Sequence, residues 1–176
     1  MVKTAQQQRA TPSLRRWWRN ACYMPWLTQH RFDRLARDQI EHAVDFAEQG
    51  QPGEIRVVIE GNLPITLAYW HDTPQRALQL FGELQVWDTA YNSGLLLYVN
   101  LCEHRVELFA DRGIHAFVQA NHWQRICDQI SAELKAGHYV DGVLTGIEQI
   151  GKILQAFYQA QEQDIGNEIS NRPILL

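Results

Sequence analysis

The sequence predicts a single-domain α/β fold, a layered mixed sheet with amphipathic helices on its faces and a late antiparallel hairpin. Three observations carry that expectation. Helix-like and strand-like periodicities alternate through the first half of the chain. Two apolar runs, 94–101 and 105–110, are separated only by Cys102, Glu103 and His104. Long apolar stripes at helical spacing cover three further segments, so there are faces for a sheet to bury. With 176 residues and 45% hydrophobic content, the chain suffices for one well-buried domain and is short for two.

The elements follow in order. Residues 1–13, rich in Gln, Thr and Arg, have the composition of a disordered tail. Leu14, Trp17, Trp18 and Ala21 then share one helical stripe, with Arg15, Arg16 and Arg19 off it, and Pro25 ends the segment. Thr28 is a candidate N-cap for a longer helix whose stripe is Phe32, Leu35, Ala36, Ile40, Ala43, Val44 and Ala47, stopping at Gly50. After a Pro52-Gly53 turn, residues 54–60 form a β-branched strand expected near the sheet centre. Asp72, Thr73 and Pro74 start a helix striped by Ala77, Leu78, Phe81 and Leu84. The hairpin 94–110 follows. Asn121 is a candidate cap for a helix carrying Trp123, Ile126, Cys127, Ile130 and Leu134, closed by Gly137. Asp141 caps the last, with Val143, Ile147, Ile150, Leu154 and Phe157. Residues 1–25 thus read as a basic, Trp-containing arm, 26–160 as the domain, and 161–176 as a loose tail.

Charge and cysteines exclude several classes. A net charge of −4 argues against nucleic acid as the main partner. The charge is uneven, because residues 1–32 hold six of the 16 basic residues and no acid, leaving ten bases against twenty acids, or −10, in the rest. Cys22, Cys102 and Cys127 show no metal-ligand spacing and no disulfide framework, which fits a reducing, cytoplasmic setting. No apolar run is long enough to span a bilayer, and no apolar core follows Arg15-Arg16 as a twin-arginine signal would need. A Cys-x5-Arg loop, a phosphate-binding glycine loop, an H-E-x-x-H helix motif and a nucleophile elbow are all absent from the sequence.

Candidate chemistry gathers between 87 and 115. Asp88 and Asn92 precede the first hairpin strand, while Asp111 and Arg112 follow the second, so antiparallel pairing brings both loops to one end of the sheet. Asp88, Asn92 and Asp111 offer the oxygen donors a divalent cation such as calcium requires, with Glu54 and Glu107 as weaker additions. The competing reading is local: Asp and Asn favour turns because their side chains bond the nearby backbone. Arg112 could hold a phosphate or other anion bidentately, or simply pair with a neighbouring carboxylate. His115 is the histidine nearest these loops. In the arm, Arg15, Arg16, Trp17, Trp18 and Arg19 suit contact with an anionic membrane surface or a partner. The alternative is that the tryptophans dock on the acidic body and cover the first long helix.

Four stretches together resemble a known family. They are Gly53 to Glu60, the Trp87-Asp88-Thr89-Ala90-Tyr91-Asn92-Ser93-Gly94 loop, Val106 to Ile114, and Leu134 to Val143. In this order they resemble the TPM domain family, named in part for a thylakoid acid phosphatase, and most closely its soluble bacterial branch without a membrane anchor. The resemblance spans roughly residues 26–158. It implies an α/β/α sandwich. For function it implies a binding module that takes a divalent cation, calcium, and a protein partner, with a link to the cell envelope; the alternative it implies is a metal-dependent acid phosphatase. One departure is visible: many members have a Gly-aromatic-Gly loop after the second hairpin strand, where this chain has Asp111-Arg112-Gly113-Ile114.

Overall fold

Alternating apolar residues make the sheet, and helical stripes decide what covers it. The computed structural model describes residues 10–115, 118–158 and 171–176. Three helices come first: α1 (Leu14–Ala21), α2 (Trp26–Arg31) and α3 (Arg34–Glu48). Strand β1 (Glu54–Glu60), the short helix α4 (Ile65–Ala68) and helix α5 (Thr73–Glu83) follow. The hairpin is β2 (Gly94–Asn100) and β3 (Arg105–Ala110), after which come α6 (Arg112–His115), α7 (Ala120–Ala136), α8 (Tyr139–Tyr158) and β4 (Ile174–Leu175).

The strand order is β3-β2-β1-β4. β1 runs parallel to β2, from Glu54 beside Gly94 to Glu60 beside Asn100, and β3 returns antiparallel with Ala110 beside Leu95. As expected, β1 is internal. Its Ile55, Val57 and Ile59 join Leu95, Leu97 and Val99 in the main core, under α3, α7 and α8. Val58, Leu96 and Tyr98 face the opposite way, into a smaller core with Ala77 and Leu80 of α5. Helices therefore lie on both faces, an α/β/α arrangement.

Most helical stripes are where periodicity put them. All five residues predicted for α7 are buried, and Gly137 ends that helix with φ 91°, a left-handed conformation that glycine adopts freely. Gly146 of α8 sits so close to the Ile130 side chain that a Cβ there would overlap it, which sets how tightly α7 and α8 pack.

The differences have physical causes. Thr28 does not cap the long helix but lies inside α2, because Phe32 leaves helical geometry and Asp33 caps instead, accepting the Ala36 N–H at 2.9 Å. Leu35, a step round the helix from the buried Ala36, Ile40 and Val44, faces outward. Leu78 of α5 is likewise exposed, since Arg76 takes an inward position that the apolar pattern had left to others. α7 begins at Ala120 with Gln119 before it, and α8 begins at Tyr139, so Asn121 and Asp141 fall within first turns. The segment expected as a loose tail ends in β4, where Ile174 and Leu175 pair with Val58 and Ile59. Two residues are too few to carry a period.

Candidate functional site

The two polar loops do meet. The Asp111 N–H donates to the Gly94 carbonyl at 2.9 Å, and the Gly113 N–H donates to the Asn92 carbonyl at 3.0 Å. Upstream, the chain is wound by local bonds: the Asp88 N–H to the Gln85 carbonyl, the Asn92 N–H to the Thr89 carbonyl, and the Ser93 N–H to the Thr89 hydroxyl. Asn92 has φ 52°, a left-handed geometry that asparagine tolerates better than most side chains. A Cβ on Gly113 would lie 2.6 Å from both the Tyr91 and the Asn92 carbonyl oxygens. Only glycine lets α6 approach those carbonyls so closely.

Asp111 is 8% exposed. Its Oδ1 accepts the Arg112 N–H at 2.7 Å, while its buried Oδ2 has no hydrogen-bond partner among the described residues. A buried carboxylate oxygen without a donor is costly, so it marks a place where something further could bind. Asn92 shares this loop contact, but its side chain is exposed, as is that of Asp88 one turn earlier. Arg112 is exposed and its guanidinium makes no ion pair among the described residues. The side chain of His115 lies outside the described residues. Glu54 is buried at the start of β1, its N–H on the Ser93 carbonyl, whereas Glu107 is drawn away, accepting the Thr73 hydroxyl at 2.8 Å. Among the described residues, no group of three or more His, Cys, Asp or Glu is arranged to hold a metal ion. A cation here would depend on the Asp111 carboxylate, the Asn92 amide and backbone carbonyls, donors suited to a hard ion.

Sequence reasoning missed two polar clusters. At the other end of the sheet, Glu60 accepts from Arg76 at 2.9 and 3.0 Å and from the Tyr98 hydroxyl at 2.5 Å. Asn100 donates to the same hydroxyl, and the Glu103 N–H closes the network on Asn100. Burial and the Glu60 carboxylate both push the Tyr98 phenol far above its usual pKa, so it stays protonated as the donor. The signal was available: Glu54, Arg56 and Glu60 share one parity along β1, which marks a partly charged face. The second cluster surrounds Glu48. Burial, with help from Glu54 and Asp45, raises its pKa to about 8, against the opposing Ile55 N–H and Asn171.

The arm docks on the domain through polar contacts, with Trp17 half-buried and Trp18 exposed. The Arg16 guanidinium donates to the Ala68 and Tyr69 carbonyls at 2.7 and 3.0 Å. Arg19 pairs with Glu103, and Asn20 donates to Glu103 while accepting the Leu63 N–H. α1 therefore packs beside α4 and the hairpin turn rather than across α3, leaving Trp17 half-buried and Arg15 and Trp18 exposed. The polar residues took the inward side because they met the Ala68 and Tyr69 carbonyls and the Glu103 carboxylate there.

An α/β/α sandwich with paired polar loops at one end of a mixed sheet defines the class of this protein. The family model of the TPM domain matches residues 28–153, and the chain belongs to that family. Among solved structures, it is similar to the NMR structure of the BA42 protein from the psychrophilic bacterium Bizionia argentinensis. The two are 27% identical, with a TM-score of 0.70 over 81% of this chain and 93% of that one. No curated protein matches the sequence. Among the described residues, no helix is long and apolar enough to cross a membrane.

Proposed function

We propose that this TPM domain is a binding module that takes a divalent cation, calcium by preference, at the Asn92–Asp111 end of the sheet. The observation that carries the reading is the buried Oδ2 of Asp111, without a hydrogen-bond partner among the described residues, two residues before the Gly113 that lies against the Tyr91 and Asn92 carbonyls. A hard cation would satisfy that oxygen, and Asp88 is near enough in sequence to join as an outer carboxylate. Ordering this loop would also fix Trp87 and Tyr91, both exposed, as aromatic anchors for a protein partner.

The test is thermal melting during a calcium titration. A ligand that prefers the native state stabilises it by about 2.7 kcal/mol at a hundred times its Kd. The wild type should gain several degrees in midpoint and Asp111→Ala none. An unchanged wild-type midpoint at millimolar calcium would overturn the reading.

A second reading, a metal-dependent phosphomonoesterase, draws on the exposed Arg112 guanidinium beside Asp111. Turnover of p-nitrophenyl phosphate with calcium or magnesium, lost in Arg112→Ala, would support it. No turnover above a heat-inactivated control would dismiss it.

A further inference from the structure

The N-terminal helix is mounted with Leu14 and Trp18 of its apolar stripe outward and Trp17 and Ala21 half-buried. A helix that only covers a core turns its apolar residues in. In α1 the inward side is Arg16 and Asn20, every bond of which is polar. Leu14 and Trp18, one turn apart and so on the same side, are 65% and 61% exposed.

The stripe is not isolated. The Ser13 N–H donates to the Tyr69 carbonyl at 3.0 Å, which sets Leu14 and Trp70 beside a shared contact. Trp70 is 59% exposed and Trp26, at the start of α2, 58%. Trp18, Trp26 and Trp70 are therefore three exposed indoles in a small domain, unusual for a surface meant to stay in water. Indole has an apolar body with one N–H donor, a combination that favours the headgroup layer of a bilayer.

Charge selects the occupant. Residues 1–32 contain six basic residues and no acid, although the rest of the chain is strongly acidic. Arg15 is exposed next to the stripe, and Arg19 remains half-exposed even while paired with Glu103. Basic side chains beside outward-facing tryptophan and leucine match an anionic lipid surface, to which each exposed cation is attracted.

We propose that Leu14 and Trp18 form a face that seats in the headgroup region of an anionic bilayer, with Arg15 contacting lipid phosphates. The inference does not rest on the cation reading, because the face and the Asn92–Asp111 loops share no residue.

The experiment is co-sedimentation of the full chain, in chelator, with vesicles of phosphatidylcholine alone or of an equimolar phosphatidylcholine and phosphatidylglycerol mixture. The expected result is binding to the mixed vesicles, weakened by salt, with a blue shift of tryptophan emission. The Leu14→Ser/Trp18→Ser double variant should bind at least tenfold more weakly while melting at the wild-type temperature, since both side chains are exposed. Arg15→Glu should weaken binding as well. Absence of wild-type binding, or equal binding by the double variant, would overturn the proposal. So would equal binding to phosphatidylcholine alone, which removes the charge argument, and binding that needs calcium, which moves the contact to the loops. A specific protein bound by this face in the absence of any vesicle affinity would assign the tryptophans to a protein partner and likewise overturn it.

Discussion

The two ends of the sheet treat buried acids in opposite ways. At the Glu60 end, one carboxylate receives an arginine fork and a tyrosine hydroxyl, and the hydrogen bonds continue through Asn100 to the hairpin turn. At the Glu54 end, Asp111 keeps one buried oxygen without a donor among the described residues, and Glu48 is held with its pKa near 8 among other acids. A fully satisfied network specifies one conformation, whereas an incompletely satisfied one stores a cost that a ligand can relieve. The contrast sets a satisfied network at one end against an unmet acceptor, among the described residues, at the other.

The comparison is broken most severely by Arg76→Met. Removing one partner of a buried ion pair leaves the Glu60 charge uncompensated, at a cost of about 3–5 kcal/mol. Urea unfolding should show this loss, and adding Glu60→Leu should recover much of it. If Arg76→Met unfolds at the wild-type midpoint, the network is not what holds this end.

A smaller effect is expected at Glu48, with a definite sign. Its folded pKa, about 8, lies above the ordinary value of 4.5, so between those limits the native state binds more protons than the unfolded chain. This contribution is fully present below the unfolded value and is lost as pH rises toward and through 8. Glu48→Gln keeps an acceptor for the Ile55 N–H without the charge. Its midpoint should hardly change between pH 5 and pH 9 from this source, while the wild type declines by a few degrees. Parallel curves for the two proteins would count against a titrating Glu48.

The smallest change sharpens the contrast from the loop side. Arg112→Ala should alter stability by no more than about 0.5 kcal/mol, because the side chain is exposed and makes no described ion pair. A larger loss in a denaturant melt would mean that this guanidinium already neutralises Asp111.

How much of this could be read in the sequence depended on the range of the signal. β1, β2 and β3 were legible because strand periodicity is local, as were the stripes of α7 and α8. The meeting of the Asn92 and Asp111 loops followed from antiparallel pairing alone. What escaped were matters of competition between distant groups. Thr28 lost the cap because Asp33 offers a carboxylate right at the turn after Phe32. The stripe of α1 was visible, but its direction was decided by the Ala68 and Tyr69 carbonyls and by Glu103, which no spacing reveals. Likewise, Asp111 stood out as a polar residue at a strand end, yet the missing partner of Oδ2 exists only in three dimensions.

Glu48 has a further consequence, for the outer edge of β1. β4 pairs with Val58 and Ile59, so among the described residues no strand lies beside the first part of that edge. There the Ile55 N–H, which a neighbouring strand would otherwise capture, is held at 2.6 Å by the Glu48 carboxylate. The side chain acts as a stopper against strand addition by another molecule, occupying an edge donor that could otherwise seed aggregates. Shortening it to alanine would open a template for self-association without removing a single residue from the core.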